Sequence, residues 1–169
     1  MKTAIALGMG SLLMLTAFTI NTRPAAGVRP AFSAVIVGDI SARPSGEARF
    51  GVTGGTEDVP PVFTISLGAN GEEGSVLLTR RSGARLSPGT YTVSNRADGT
   101  DDIRALVMTG SATRPSGVFQ GQSGSLVIGS ASVHEIRGTF RIEARGFLAA
   151  QPEVEDRPLK VAGSFSASN

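Results

Sequence analysis

The chain contains no cysteine, no tryptophan, one histidine and one tyrosine. Each shortage excludes a class of chemistry. Without cysteine there are no disulfides and no thiolate ligands, so the chain folds on packing and hydrogen bonds alone. A zinc set cannot be assembled from a single histidine. A nucleophile triad needs a positioned base, and no G-x-S-x-G or other ordered serine context accompanies His134. That histidine alternates onto the side of Ile136 and Phe140, which predicts a partly covered, hydrogen-bonded residue at the start of a strand. Sugar and single-strand nucleic-acid sites stack their ligands on aromatic platforms. Here Tyr91 stands alone, and Phe32, Phe50, Phe63, Phe119, Phe140, Phe147 and Phe165 fall in apolar strand patterns that read as core. No phosphate-binding glycine loop of standard spacing is present. The residues therefore assign no catalytic, cofactor-binding or metal-ligating position, and no cofactor is expected.

Charge is absent from residues 3–22, which follow Lys2 and are rich in Leu, Ile, Met and Phe; Ala25 and Ala26 come shortly after. This is the pattern of an export signal, residues 1–26, with cleavage near the alanines. The alternative is an uncleaved anchor through residues 3–22, because an uncharged run of that length can just cross a bilayer. No cysteine follows the apolar run to carry a lipid. Both readings place residues 27–169 outside the cytoplasm, in the periplasm or beyond.

The whole chain has 16 Lys and Arg against 14 Asp and Glu. Lys2 and Arg23 belong to the leader, so residues 27–169 balance at 14 of each sign. No net positive field remains to gather nucleic acid or anionic lipid. The expected partner is thus neither nucleic acid nor, the leader aside, a membrane; a partner in the envelope or at the cell surface is the expectation, its identity unknown.

What the sequence has in plenty is glycine, 22 residues, spaced between short apolar runs as turn residues are. Alternation of period two recurs along the chain. Strands are predicted at 32–42, 47–52, 62–67, 75–80, 90–95, 103–110, 118–121, 123–130, 133–147 and 159–167. A type I turn is predicted at Arg43-Pro44-Ser45-Gly46, and the same letters recur at 114–117. Asn70-Gly71 carries a hairpin signal, and Ser87-Pro88-Gly89-Thr90 a type II turn. Nine or ten short strands predict one all-β domain over residues 27–169, an antiparallel β-sandwich, with a flattened, lipocalin-like closed barrel as the alternative. Residues 27–169 are enough for a core that buries about two thirds of the unfolded surface. Gly129, Gly138 and Gly163 are expected to point inward, leaving room for close sheet packing or for a cavity.

The stretch IRGTFRIEARGF, residues 136–147, shows the alternation most plainly. Ile136, Phe140, Ile142 and Ala144 share one face; Arg137, Arg141, Glu143 and Arg145 share the other. The pattern predicts a strand with a buried face and a solvated one, and the charged row as the solvated face rather than a binding site.

The tail SGSLVIGSASVHEIRGTFRIEARGF…LKVAGSFSA, with FTISLG, LLTR and SPGTYTV upstream, resembles a family of uncharacterised bacterial exported β-domains. Many of its members are lipoproteins, and this chain departs from them in lacking the anchor cysteine. The resemblance spans most of residues 32–167 and implies an exported domain of immunoglobulin size, with no activity or functional residues attached.

Acidic residues cluster in loops: Glu57-Asp58, Glu72-Glu73, Asp98 with Asp101-Asp102, and Glu153, Glu155 and Asp156. Gathered at one end of a sandwich, such groups could form a calcium site or a glycosidase-like pair. However, DGTDD lacks the alternating order of a calcium loop, and acidic loops also serve solubility. The functional expectation is a non-catalytic exported β-domain, structural or adhesive, that binds through loops or a sheet face. The alternative is a small barrel carrying an apolar ligand in its interior, and a carboxylate-based hydrolase is the third reading.

Overall fold

A computed structural model describes residues 31–56, 59–68, 74–96, 102–111, 114–154 and 156–169. The predicted leader, Asn70-Gly71 and the acids Glu57, Asp58, Glu72, Glu73, Asp98, Asp101 and Glu155 lie outside the described residues. The described chain is all-β, with ten strands: β1 (Ala31–Gly38), β2 (Ser45–Gly46), β3 (Ala48–Thr53), β4 (Val62–Leu67), β5 (Gly74–Arg80), β6 (Gly89–Ser94), β7 (Ile103–Ser111), β8 (Arg114–Ala131), β9 (Glu135–Leu148) and β10 (Arg157–Ser168). No helix long and apolar enough to cross a membrane occurs among these residues.

The strands join in the order β2-β1-β10-β3-β4-β5-β7-β6-β8-β9, and β9 returns to β10, so eight of them follow one another in a ring. Two joins in that ring are single residue pairs, Ser168 with Arg49 and Val93 with Ile103. Because β7 also pairs directly with β8, the thin join of the ring is the one between β10 and β3, and the fold is sandwich-like rather than an evenly hydrogen-bonded barrel. β9 and β10 pair over twelve positions, from Arg157 with Gly146 to Ser168 with Glu135. β1 lies antiparallel on the other side of β10, from Ala31 with Ser166 to Gly38 with Leu159.

Inward residues from the strands form one core cluster. Phe63, Phe119 and Phe140 are fully buried, as are Ile65, Leu67, Leu78, Leu126 and Ile142. Two of the three glycines expected inward are filled over rather than hollow. A Cβ on Gly163 would come within 2.7 Å of the Phe140 ring, and one on Gly138 within 3.0 Å of the Phe165 ring. Gly129 is instead exposed, beside an irregularity in β8.

Several local expectations need correction. The reversal after β1 comes earlier than the Arg43–Gly46 turn. Ile36 and Ala42 exchange backbone hydrogen bonds, and Ala34 N donates to Pro44 O, so residues 43–46 run back along β1 as an extended edge. The second RPSG opens β8, where Ser111 pairs with Arg114 and Gly110 with Pro115. Proline's missing donor suits an edge or a strand start as well as it suits a turn. At Ser87–Thr90 the type II turn fails because Gly89, at φ +155°, already pairs with Ile128 as the first residue of β6. The two predicted strands 118–121 and 123–130 are one strand, β8, which shifts register between Gly121 and Ser123. Its first part pairs with β7 and its second with β6, while β9 runs alongside both. A bulge lets one strand bend and change partners without ending.

Candidate functional site

The charged row of β9 lies where alternation put it. Ile136, Phe140, Ile142 and Ala144 are buried, while Arg137, Arg141, Glu143 and Arg145 are exposed. Its ion pairs run along the surface: Arg137 Nε to Glu135 at 2.9 Å, Lys160 Nζ to Glu143 at 3.4 Å, and Arg145 Nη1 to Asp156 at 2.6 Å. Glu135 also accepts a 2.6 Å bond from the Ser166 hydroxyl. The Arg137 hydrogen bond first, and that of Ser166 next, hold the Glu135 carboxyl below its ordinary pKa. Exposed pairs of this kind contribute little to stability.

His134 is exposed and precedes β9 rather than sharing its buried face. Its backbone N–H, with that of Glu135, donates to Ser132 Oγ at 3.3 and 3.0 Å, in a tight turn closed by Ser132 N to Glu135 O. The expected partial cover is absent because β9 starts one residue later. Tyr91 spends its hydroxyl on structure, accepting from Ser87 N and donating to Ser87 O, both at 2.9 Å, and Arg80 lies 5.7 Å over its ring. Of the loop acids that are described, Asp102 accepts from Ser94 Oγ at 3.0 Å and Asp156 engages Arg145. Among the described residues no group of three or more His, Cys, Asp or Glu is placed to hold a metal ion.

Phe147 departs from the expectation of core, since it is 41% exposed. It belongs to a feature that alternation alone passed over. β5 and β7 are apolar on both faces. Val76, Leu78, Ile103, Ala105 and Val107 point into the core, and Leu77, Leu106 and Met108 point the other way, half-buried. The register carries this outer face across four strands. Ser75 pairs with Met108, Met108 with Val118, and Val118 with Phe147. One row along, Leu77 pairs with Leu106, Leu106 with Gln120, and Gln120 with Arg145. Thr79 then faces Arg104.

At Gln120 the pairing of β8 with β7 ends, and beyond it β8 turns to β6. A surface hollow of about 390 Å³ opens at this divergence, lined by Leu77, Leu106, Val118 and Phe147 together with Arg104 and Arg145. Among the described residues, two guanidinium groups and no carboxylate line it. Arg145 is held by Asp156, whereas Arg104 has no hydrogen-bond or ion-pair partner among the described residues. The sequence did hold a signal for this face in the unbroken apolar runs Val76–Leu78 and Ala105–Met108, which are typical of strands covered on both sides.

A second hollow, of about 380 Å³, lies on the outer face of β1, β10 and β9, over Val35, Val37 and Ala162, with Arg141, Glu143 and Lys160 at its sides. Here the charges are of both signs, and Glu143 and Lys160 pair with each other. No family model, curated protein or solved structure matches this chain significantly.

Proposed function

We propose that this chain is an exported, non-catalytic β-domain that binds a partner through the outer face of β5, β7, β8 and β9. One observation carries the proposal: the strands β5 and β7 present Leu77, Leu106 and Met108 away from the core, continuous with Val118 and Phe147. A contiguous apolar face on an otherwise solvated sheet is the usual mark of an interaction surface. Among the described residues, the loops and the single histidine offer no comparable convergence of groups. The filled core favours a surface site over carriage of a ligand in the interior, because Phe63, Phe119 and Phe140 occupy the space an apolar cargo would need.

Export is part of the same proposal and rests on the uncharged run 3–22 with Lys2 before it and Ala25-Ala26 after it. So is membership in the family of exported bacterial β-domains, which rests on the strand and turn motifs of residues 32–167. The intact mass of the exported protein is expected to lack about the first 26 residues; a full-length mass held in the membrane would replace a free domain with an anchored one. For the binding face, a photo-crosslinking amino acid is placed at Phe147, and for comparison at Thr139, on the outer side of β9 away from the face. Adducts in the exporting cell are expected from position 147 and not from 139. Equal adducts at both, or none at 147, would remove the binding face.

A further inference from the structure

We infer that the hollow at the divergence of β7 and β8 binds a single-chain anionic amphiphile, its hydrocarbon on the apolar rows and its head group at Arg104; this rests on the proposed binding face. The hydrocarbon half follows from Leu77, Leu106, Val118 and Phe147, apolar side chains of the hollow's lining that stand on the outer face of the sheet. At about 390 Å³ the hollow is of the size that holds small ligands.

The anionic half follows from the charges. Arg104 and Arg145 are the ionised groups of the lining. Asp156 fixes Arg145 from outside the hollow, and the nearby Asp102 is engaged by Ser94, which leaves the Arg104 guanidinium without an acceptor among the described residues. A guanidinium beside apolar surface favours a carboxylate or similar head, since the charge-assisted bond strengthens where water is reduced. The Thr79 and Gln120 side chains at the same lining supply neutral hydrogen-bonding groups beside the head. A second copy of the chain fits less well, because a two-fold contact through this face would bring Arg104 and Arg145 of both copies together. The hollow over Val35 and Val37 differs in that it carries a carboxylate, Glu143, paired there with Lys160.

Dodecanoate, kept below its micelle concentration, is titrated into the isotope-labelled exported protein and followed by amide and methyl chemical shifts. Saturable shifts are expected at Leu77, Leu106, Val118 and Phe147. Arg104→Gln is expected to weaken binding about tenfold, the loss of one charge-assisted hydrogen bond, and dodecanol to bind weaker than dodecanoate by a similar factor. Phe147→Ser, at a position that is 41% exposed, is expected to weaken both ligands alike, with the amide spectrum of the variant reporting that it is folded. Shifts at the face with dodecanoate and dodecanol bound equally would overturn the anionic head and leave the binding face standing. No shifts at the face, shifts around Val35 instead, or a concentration-dependent dimer that buries Phe147 would overturn the amphiphile. The crosslinking result at position 147 then shows separately whether the face binds anything.

Discussion

Neighbours Phe140 and Arg141 on β9 should respond to truncation in opposite ways, and the structure sets the size of the difference. Phe140 is 2% exposed. Its ring stacks on Phe32 at 6.3 Å and 17°, tilts against Phe165 at 6.4 Å, and lies over Gly163. A buried phenylalanine removes about 150–250 Å² from water, worth about 4–6 kcal/mol at 25 cal/mol per Å². Alanine retains part of that, and the vacated space is walled by rigid rings and strands that collapse poorly. Phe140→Ala is therefore expected to cost about 4 kcal/mol, within the usual range for such truncations. Arg141 is exposed, faces Ala162 and Ser125 across the strands, and has no ion-pair or hydrogen-bond partner among the described residues. Arg141→Ala should change stability by no more than about 0.5 kcal/mol. With a urea slope of about 2 kcal/mol per molar, the unfolding midpoint should fall by about 2 M for the first variant and by less than about 0.3 M for the second. Equal losses would refute the assignment of faces and would mean that the charged row is buried against another sheet or subunit.

Four further substitutions have expected outcomes. Glu135→Gln should lower the melting temperature at neutral pH by an amount that shrinks in acid. The folded-state pKa of Glu135 is depressed, so its contribution is present above the ordinary value of 4.5 and is lost as pH falls through the lower folded one; a gap that widens in acid would contradict the Arg137 and Ser166 contacts. Gly124→Ala should destabilise by more than about 1 kcal/mol, since the residue sits at φ +148° and a Cβ would be driven onto the Arg141 carbonyl. Gly51→Ala, where a Cβ meets nothing within 4 Å, should be neutral or slightly stabilising in the same melts. Tyr91→Phe should cost about 0.5–1.5 kcal/mol through the loss of both bonds to Ser87, and amide exchange at Ser87 should quicken.

The parts of the fold that could be read from the sequence are those where one period governs a whole segment. In β9 the two-residue alternation survives from Ile136 to Arg145, and both faces came out as the pattern requires. Turn chemistry was less reliable, because proline and glycine mark any place where regular pairing is interrupted. Pro44 and Pro115 lie in extended segments, and Gly89 begins a strand. The continuity of β8 was hidden for a related reason: its glycines read as breaks, yet Gly121 and Gly124 let the strand bend and stay paired with β9. The candidate site was visible only in part. Apolar runs at 76–78 and 105–108 suggested strands, but their second apolar face emerges only when the register brings Leu106 beside Leu77 and Val118 beside Phe147. Arg104 gains its meaning from that placement alone.

The pairing of β1 has a consequence for the order of assembly. Its long partner is β10, joined from Ala31 with Ser166 to Gly38 with Leu159, while β2 contributes only a two-residue ladder on its other edge. A chain that emerges amino end first delivers β1 long before the strand that completes it. Bringing those ends together costs about 4 kcal/mol of loop-closure entropy in a flexible chain of that separation. The β8–β9 hairpin, joined across a three-residue link, forms without that delay. β1 can therefore dock on β10 only after β10 has been made, whereas β8 and β9 can pair as soon as both are present. Until then Phe32 and Ile36 stay without cover, and truncation after β9 would leave an unfinished product with an adhesive edge rather than a smaller stable domain.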